Sequence, residues 1–140
     1  MAIQSDLDVM YMRIACENAR MSKATRAKVG ACLVTPSGVL LTGWNGTPAG
    51  WYTNECESGN VTKPEVIHAE LNCILKAAKQ GVSVLGSTVY VTLSPCEHCS
   101  GLLLSCGVKR VVFHEPYRDK TGVENLVRHG IEVVNLERLV

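Results

Sequence analysis

Apolar residues recur at helical spacing near the start of the chain and predict a helix over residues 6–21. The face that they form carries Leu7, Met10, Tyr11, Ile14 and Ala15. Ser5, followed three residues later by Asp8, is typical of a capping box. This pair places the predicted start of the helix at residue 6.

The rest of the chain alternates between strand-like and helix-like segments. Two apolar runs flank the turn Pro36-Ser37-Gly38 and predict a β-hairpin. The predicted strands cover residues 29–35, 39–44, 88–93, 108–113 and 131–135. The predicted helices cover residues 65–80, 96–106 and 124–129, each followed by a glycine that can end it. This order predicts an α/β fold, with a mixed sheet and helices on its faces.

Residues 45–64 show no usable periodicity and contain several glycines and prolines. A loop of this length in a compact domain is usually functional or disordered. Trp44 and Trp51 near its start favour an ordered loop. The 140 residues show no internal repeat, low-complexity tract or linker, so a single domain over 1–140 is expected.

Composition and charge exclude some classes of partner. With 14 Lys and Arg against 13 Asp and Glu, the net charge is +1, which gives no electrostatic reason to expect nucleic-acid or membrane binding. The first residues are polar and unlike a secretory signal. Seven cysteines without such a signal are typical of a cytoplasmic protein, whose thiols bind metals or pack in cores.

Two short motifs carry most of the candidate chemistry. The first is His68-Ala69-Glu70, and the second is Pro95-Cys96-Glu97-His98-Cys99. Two thiolates and an imidazole suit Zn²⁺, and three protein ligands leave a fourth position for water. We therefore expect His68, Cys96 and Cys99 to hold zinc. Glu70, close to the ligand but on another side of its helix, is expected to transfer protons.

Less specific interpretations also apply to these motifs. Cys96 and Cys99 alone would also fit a redox pair or half of a structural zinc site. The occurrence of both motifs, each at the start of a helix, favours a catalytic zinc site. The other cysteines mostly lie in apolar contexts that favour core packing. These are Cys16, Cys32, Cys73 and Cys106, whereas Cys56 lies in the long loop.

At these motifs the chain resembles the cytidine deaminase-like superfamily, and within it the deoxycytidylate (dCMP) deaminases. Three further stretches are similar to that branch. They are Lys28-Val29-Gly30-Ala31-Cys32, Gly43-Trp44-Asn45-Gly46-Thr47-Pro48-Ala49-Gly50 and Tyr90-Val91-Thr92-Leu93-Ser94-Pro95. The second stretch best separates the dCMP deaminases from the tRNA adenosine deaminases. The latter share the zinc signature but do not usually carry this stretch.

The resemblance implies a three-layer α-β-α fold with a five-stranded mixed sheet. It implies hydrolysis of dCMP to dUMP and ammonia for dTMP synthesis, in a homo-oligomer that is commonly a hexamer. It also implies activation by dCTP with Mg²⁺ and inhibition by dTTP. The effector loop would contain Gly43, Trp44, Gly46, Thr47, Pro48 and Gly50, although subunit packing is an alternative role. Some relatives hold a second, structural zinc through extra Cys and His residues before the catalytic histidine. In this chain no histidine precedes His68, so we expect one zinc per subunit.

The expected reaction also suggests residues for binding the nucleotide. Glu70 would carry protons from water to N3 of the base and to the leaving amine. Backbone groups at Ala69 and Ser94 would read the edge of the pyrimidine, and Asn45 would bind the sugar or phosphate. The remaining candidates for the substrate site are Arg26, Lys28, Tyr117 and Arg118.

Two other functions remain open from the sequence. One is a deaminase that acts on tRNA or single-stranded nucleic acid, which the near-neutral charge disfavours. The other is a zinc-stabilised binding module without catalysis. The sequence also leaves open whether dCTP is a substrate as well as an effector.

Overall fold

The computed structural model describes residues 2–139, with the side chains of residues 6–139. Its elements in chain order are α1 (Ala2–Ala19), β1 (Gly30–Val34), β2 (Leu40–Trp44), β3 (Glu57–Ser58), β4 (Val61–Thr62), α2 (Ala69–Gln80), β5 (Thr88–Leu93), α3 (Glu97–Ser105), β6 (Arg110–Glu115), α4 (Thr121–Arg128) and β7 (Glu132–Asn135). Within this range, β3 and β4 form a small hairpin apart from the main sheet.

The main sheet of the described residues has five strands in the order β2-β1-β5-β6-β7. β1 is antiparallel to both β2 and β5, whereas β5, β6 and β7 run parallel. Parallel neighbours need a crossover connection, and α3 and α4 supply the two that are required. Val91 in the central strand lies between Ala31 and Phe113, so its backbone is enclosed on both sides.

Helices cover both faces of the sheet, which confirms the predicted three-layer α-β-α fold with a five-stranded mixed sheet. On one face, Met12 and Ala15 of α1 pack on a cluster that includes Tyr90. On the other face, α2, α3 and α4 cover a larger core that includes Val89 and Val91. Successive residues of β5 therefore point into opposite layers, as the alternation of a strand requires.

The predicted start of α1 is wrong, because the helix already begins at Ala2. The side chain of Ser5 lies outside the described residues. Asp8 is buried in the α1 layer, where it accepts a hydrogen bond from the Tyr90 hydroxyl at 2.7 Å. It also accepts a bidentate pair from Arg110 at 2.8 and 2.7 Å. The acidic residue that resembled part of a cap therefore joins α1 to the sheet.

The second helix begins later than predicted, at Ala69 with His68 as its N-cap. The residue before that cap is held in a β-bridge, since Gly46 and Ile67 exchange two backbone hydrogen bonds of 2.8 and 3.1 Å. This bridge also orders the long loop. The β3–β4 hairpin lies inside the same loop, which was predicted to contain no regular element.

Candidate active site

The residues predicted to bind the metal and to transfer protons lie close together, where β5 ends and where α2 and α3 begin. Ser94 follows β5, and its N–H donates to the Glu115 carbonyl at the end of β6. Its hydroxyl accepts from the N–H of Tyr117 at 2.7 Å. A cavity of about 330 Å³ opens at this edge. Its lining residues are Ala24, Arg26, Ala27, Val29, Asn45, Cys56, Glu57, Thr62, Val66, His68, Ala69, Glu70, Leu93, Ser94, Cys96 and Tyr117.

Three side chains at this site have the chemistry and spacing of a metal centre. The ligand atoms of His68, Cys96 and Cys99 all lie within 4.8 Å of one another. His68 Nδ1 is 3.1 Å from Cys99 Sγ and 3.7 Å from Cys96 Sγ. Tetrahedral zinc, with bonds of about 2.0 Å to nitrogen and 2.3 Å to sulfur, separates its ligand atoms by about 3.5–3.8 Å. The three residues therefore fit a zinc ion after small adjustments.

Helix capping explains how the chain brings these ligands together. His68 and Cys96 are the N-caps of α2 and α3, and both have extended backbone conformations. The Cys99 N–H, one turn into α3, donates to the Cys96 sulfur at 3.4 Å. The Cys-x-x-Cys spacing thus turns both sulfurs towards the start of α3, opposite the ring of His68.

The two sulfurs have opposite protonation tendencies. Hydrogen bonds from the Cys99 thiol and then from His68 lower the pKa of Cys96 to about 3, which favours its thiolate. Donation to Cys96, together with burial, raises the pKa of the Cys99 thiol. The hydrogen bond to Cys96 likewise raises the pKa of His68. Binding of a metal ion would therefore release protons from this cluster.

Glu70 lies in the first turn of α2, beside the ligand set, and lines the cavity. The residue is only 4% exposed. Burial raises the pKa of its carboxyl, while its own backbone N–H and His68 act in the opposite direction. A carboxyl in such surroundings can accept and return a proton more readily than a solvated one.

The donor set favours a catalytic arrangement over a closed structural site. Among the side chains of residues 6–139, the group able to hold a metal contains His68, Cys96 and Cys99, with no fourth ligand of the same kind. Structural zinc sites almost always have four protein ligands, whereas three leave a position for water or substrate. Such a site, with Glu70 beside it, can activate water against an electrophilic carbon.

Five of the predicted substrate residues line the cavity. These are Arg26, Asn45, Ala69, Ser94 and Tyr117. The structure places neither Lys28 nor Arg118 in that lining. Lys28 instead lines a separate cleft of about 250 Å³, which Cys16 and His114 also border. Arg26 and Lys28, two residues apart before β1, thus line different cavities, whereas Ala27 between them borders both.

Asn45 has a structural task in addition to its position in the cavity wall. Its side-chain oxygen accepts from the Val29 N–H at 2.8 Å, and its nitrogen donates to the Ala27 carbonyl at 2.8 Å. Asn45 therefore joins the end of β2 to the segment before β1. One amide hydrogen remains available for a ligand.

The six predicted effector residues lie outside the cavity lining. Gly43 faces α2, where an added Cβ would lie 2.5 Å from the Ala69 carbonyl oxygen. Lys76 stacks over the Trp44 ring, and Gly46 forms the bridge to Ile67. The remaining three shape the turn that follows, in which the Thr47 hydroxyl donates to Thr53, the Trp51 N–H donates to the carbonyl of Pro48, and Gly50 has a positive φ.

Some cavity residues were missed by the sequence analysis. Glu57 and Thr62 reach the wall from the β3–β4 hairpin, and Cys56 precedes it. Two-residue strands leave no periodicity in the sequence, so nothing indicated that this part of the loop returns to the site. The nearest signal was Cys56, the one cysteine outside an apolar context.

The cysteines predicted to pack in the core do so to different degrees. Cys32 and Cys73 are fully buried on opposite faces of the sheet. Burial raises the pKa of Cys32 to about 12, which keeps this thiol protonated. Cys16 and Cys106 are partly buried at the edges of the two clusters.

No helix in residues 2–139 is both long enough and apolar enough to cross a membrane.

Comparison with known proteins places this site in a wider context. The family described as cytidine and deoxycytidylate deaminase zinc-binding region matches residues 5–115. The deoxycytidylate deaminase of Enterobacteria phage T4 is 34% identical, over 91% of this chain and 88% of that protein. The corresponding protein of phage T2 is 33% identical, over 91% of both chains.

A solved structure gives a similar result for the fold. The crystal structure of dCMP deaminase from cyanophage S-TIM5, in complex with dCMP and dUMP, superposes with a TM-score of 0.86. Its sequence is 41% identical to this chain. The match covers 91% of this chain and 94% of that one. The similarity of the two folds therefore extends over most of the chain.

Proposed function

The chain belongs to the cytidine and deoxycytidylate deaminase family, and on that premise we propose that it hydrolyses dCMP to dUMP and ammonia. The observation that carries this proposal is the meeting of His68, Cys96 and Cys99 beside buried Glu70, at a cavity of about 330 Å³. The whole chain, residues 1–140, would act as one zinc-dependent deaminase domain. Such an enzyme would supply dTMP synthesis in the cytoplasm.

His68, Cys96 and Cys99 would hold one zinc ion per subunit. Bound zinc would supply a Lewis acid that lowers the pKa of water to about 7. The cap positions of His68 and Cys96 keep the ligands in place before metal arrives. Cys99 is only 2% exposed, so the side chains packed around it limit its movement.

Glu70 would carry the protons of the reaction. Its carboxylate takes a proton from the attacking water and delivers it to N3 of the cytosine ring. The water oxygen bonds to C4, and the regenerated carboxylate then takes the second proton from that oxygen. It passes this proton to the amine as the C4–N bond breaks and the C4 carbonyl forms. Water and dCMP are thereby converted into dUMP and ammonia. The burial of Glu70 supports this role, because the neutral and charged forms become closer in free energy.

The remaining cavity residues would bind the nucleotide. Backbone groups of Ala69 and Ser94, which are both buried, lie at the inner end and would contact the base. Asn45 would contact the sugar with its unused amide hydrogen. Arg26 and Tyr117 are exposed lining residues, suited to the phosphate at the mouth. Lys28 and Arg118 would act only through the longer-range field, because neither lines the cavity.

The proposal extends to regulation and assembly. Activation by dCTP with Mg²⁺, and inhibition by dTTP, would act through the loop around Gly46, Thr47, Pro48 and Gly50. Exposed Trp51 and Tyr52 follow it, and their rings pack together with centroids 5.6 Å apart. The subunits would form a homo-oligomer, which we expect to be a hexamer. Neither nucleic acid nor a membrane is expected as a partner.

Ammonia release from a nucleotide panel tests the function. The panel contains dCMP, dCTP, deoxycytidine and a tRNA anticodon stem, and zinc is measured in the same sample. We expect turnover of dCMP with one zinc per subunit, and dependence on dCTP and dTTP if the effector loop is active. Turnover of the tRNA stem alone, or none with zinc bound, would contradict the proposal.

A further inference from the structure

A second carboxylate, that of Glu57, lies on the cavity wall, and the proposed proton transfers do not use it. Its oxygens accept hydrogen bonds from the Thr25 N–H at 3.1 and 3.2 Å. One of them also accepts from the Arg26 N–H at 3.2 Å. The hairpin residue Glu57 is therefore fixed against the segment that carries the candidate phosphate-binding cation.

This carboxylate is ionised near neutral pH. Desolvation of Glu57 acts against ionisation, but the N–H groups of Arg26 and Thr25 outweigh it. The positive charge of Arg26 acts in the same direction, and the net result is a lowered pKa. The wall of the cavity therefore carries a permanent negative charge.

The guanidinium of Arg26 lies on the same wall and acts on Glu57 through its charge, without a direct ion pair between the two groups. Its Nη1 donates to the Thr62 hydroxyl at 3.3 Å. Thr62 is the residue that pairs with Glu57 between β3 and β4. No ion pair within 4.0 Å joins Arg26 to a carboxylate among the side chains of residues 6–139. A cation available for phosphate thus lies close to a fixed anion.

The lining residues beside Glu70 are mostly buried and those beside Arg26 mostly exposed, although His68 is exposed and Cys56 is buried. Ala69, Glu70 and Ser94 are buried and form the inner end, where the reaction would take place. Arg26 and Thr62 are exposed, so the hairpin side of the wall forms the mouth. A nucleotide with its base at the inner end therefore directs its phosphates towards Arg26 and Glu57.

We infer that Glu57 is a specificity-determining residue that restricts the site to a nucleoside monophosphate and disfavours the triphosphate. The inference rests on the proposed function, because it assumes that a cytosine base lies at the inner end. One phosphate can pair with Arg26, whereas a triphosphate carries additional negative charges past it. Those charges meet the Glu57 carboxylate, and like charges a few ångströms apart repel even at a partly solvated site.

The test compares Glu57→Gln with the matched control Glu55→Gln. Gln at position 57 keeps an oxygen that accepts from the backbone N–H groups and removes the charge. Glu55 lies two residues earlier and outside the cavity lining, where its exposed carboxylate contacts Lys63 at 3.7 Å. Both variants therefore lose one negative charge from the same loop. The kcat/KM values for dCMP, dCTP and deoxycytidine are measured by ammonia release, without added divalent cation.

We expect the kcat/KM ratio of dCMP to dCTP to fall about tenfold in Glu57→Gln, through a gain for dCTP. The ratio should not change in Glu55→Gln. An unchanged ratio in Glu57→Gln would overturn the inference, as would an equal change in both variants. An equal loss for all three substrates, including deoxycytidine, would assign Glu57 a purely structural role and also overturn it. Absence of dCMP turnover in the unmodified protein, even after addition of dCTP and Mg²⁺, would instead contradict the proposed function.

Discussion

Replacement of Glu70 by Gln separates proton transfer from metal binding. The change removes the ionisable group and preserves the size of a side chain that is 4% exposed. In the proposed reaction two proton transfers pass through this carboxylate, and general acid–base catalysis typically contributes about 10²–10⁴-fold. We expect kcat for dCMP to fall about 10³-fold, which corresponds to about 4 kcal/mol of lost transition-state stabilisation.

Zinc content and stability should not decrease in the same variant. His68, Cys96 and Cys99 complete the donor set without Glu70. Burial disfavours the charged carboxylate, so a neutral amide in its place should give an equal or higher melting temperature. Elemental analysis and thermal unfolding measure both quantities beside the ammonia assay.

The control for this prediction is Glu97→Gln. Glu97 lies between the two cysteines in the first turn of α3, but its side chain is exposed. The same chemical change close to the metal centre should therefore leave kcat within about twofold. If Glu70→Gln retained kcat within tenfold at full zinc content, the carboxylate would not be the proton carrier. If zinc were lost instead, Glu70 would be a ligand.

Three further substitutions test other parts of the structure. Asp8→Ala removes the bidentate partner of the Arg110 guanidinium, whose side chain is 11% exposed and which still pairs with Glu132 at 3.0 Å. The free energy of unfolding should therefore fall by about 2–3 kcal/mol in denaturant titrations. Gly43→Ala places a Cβ 2.5 Å from a carbonyl oxygen in the first turn of α2, so it should displace that helix. Ammonia assays without any effector should therefore show at least a tenfold loss of activity. Normal basal activity would contradict the role of Gly43 in packing α2 against β2. Arg26→Ala should raise KM for dCMP about tenfold and leave KM for deoxycytidine nearly unchanged. The control Lys28→Ala should change neither KM by more than twofold. Equal effects of Arg26→Ala on nucleotide and nucleoside would show that Arg26 does not bind the phosphate.

The sequence predicted most of the regular structure because these elements have strong periodic patterns. The central strand was predicted with its observed bounds, Thr88–Leu93, since β-type residues fill it between two helical segments. The start of α1 was predicted wrongly because an acidic residue near a helix start can either cap the helix or bind a partner elsewhere in the fold. Asp8 has the spacing of a cap, but its partners Tyr90 and Arg110 lie far away in the sequence.

The candidate site was predictable where one motif supplies several groups at fixed spacing. Cys96 and Cys99 share one helix turn, so their sulfurs converge in any fold that places Cys96 at the N-cap. Long-range contacts carried no such signal. Gly43 was assigned to an effector loop, yet its missing side chain lets α2 approach β2. Glu57 entered the cavity wall only because a short hairpin folds back towards the segment before β1.

One end of the cavity is formed by elements of the buried sheet and its helices, and the other by a loop hairpin. This difference affects how substitutions can alter substrate specificity. The proposed reactive end is built from helix N-caps and the end of β5, all anchored in the buried sheet. The proposed phosphate end is built from Arg26 and from a hairpin in a loop, held by contacts such as Arg26–Thr62 that involve exposed side chains. Substitutions in the hairpin can therefore alter phosphate recognition without moving the metal ligands. Changes near α2, such as those at Gly43, affect every substrate alike, because His68 and Glu70 move together with that helix.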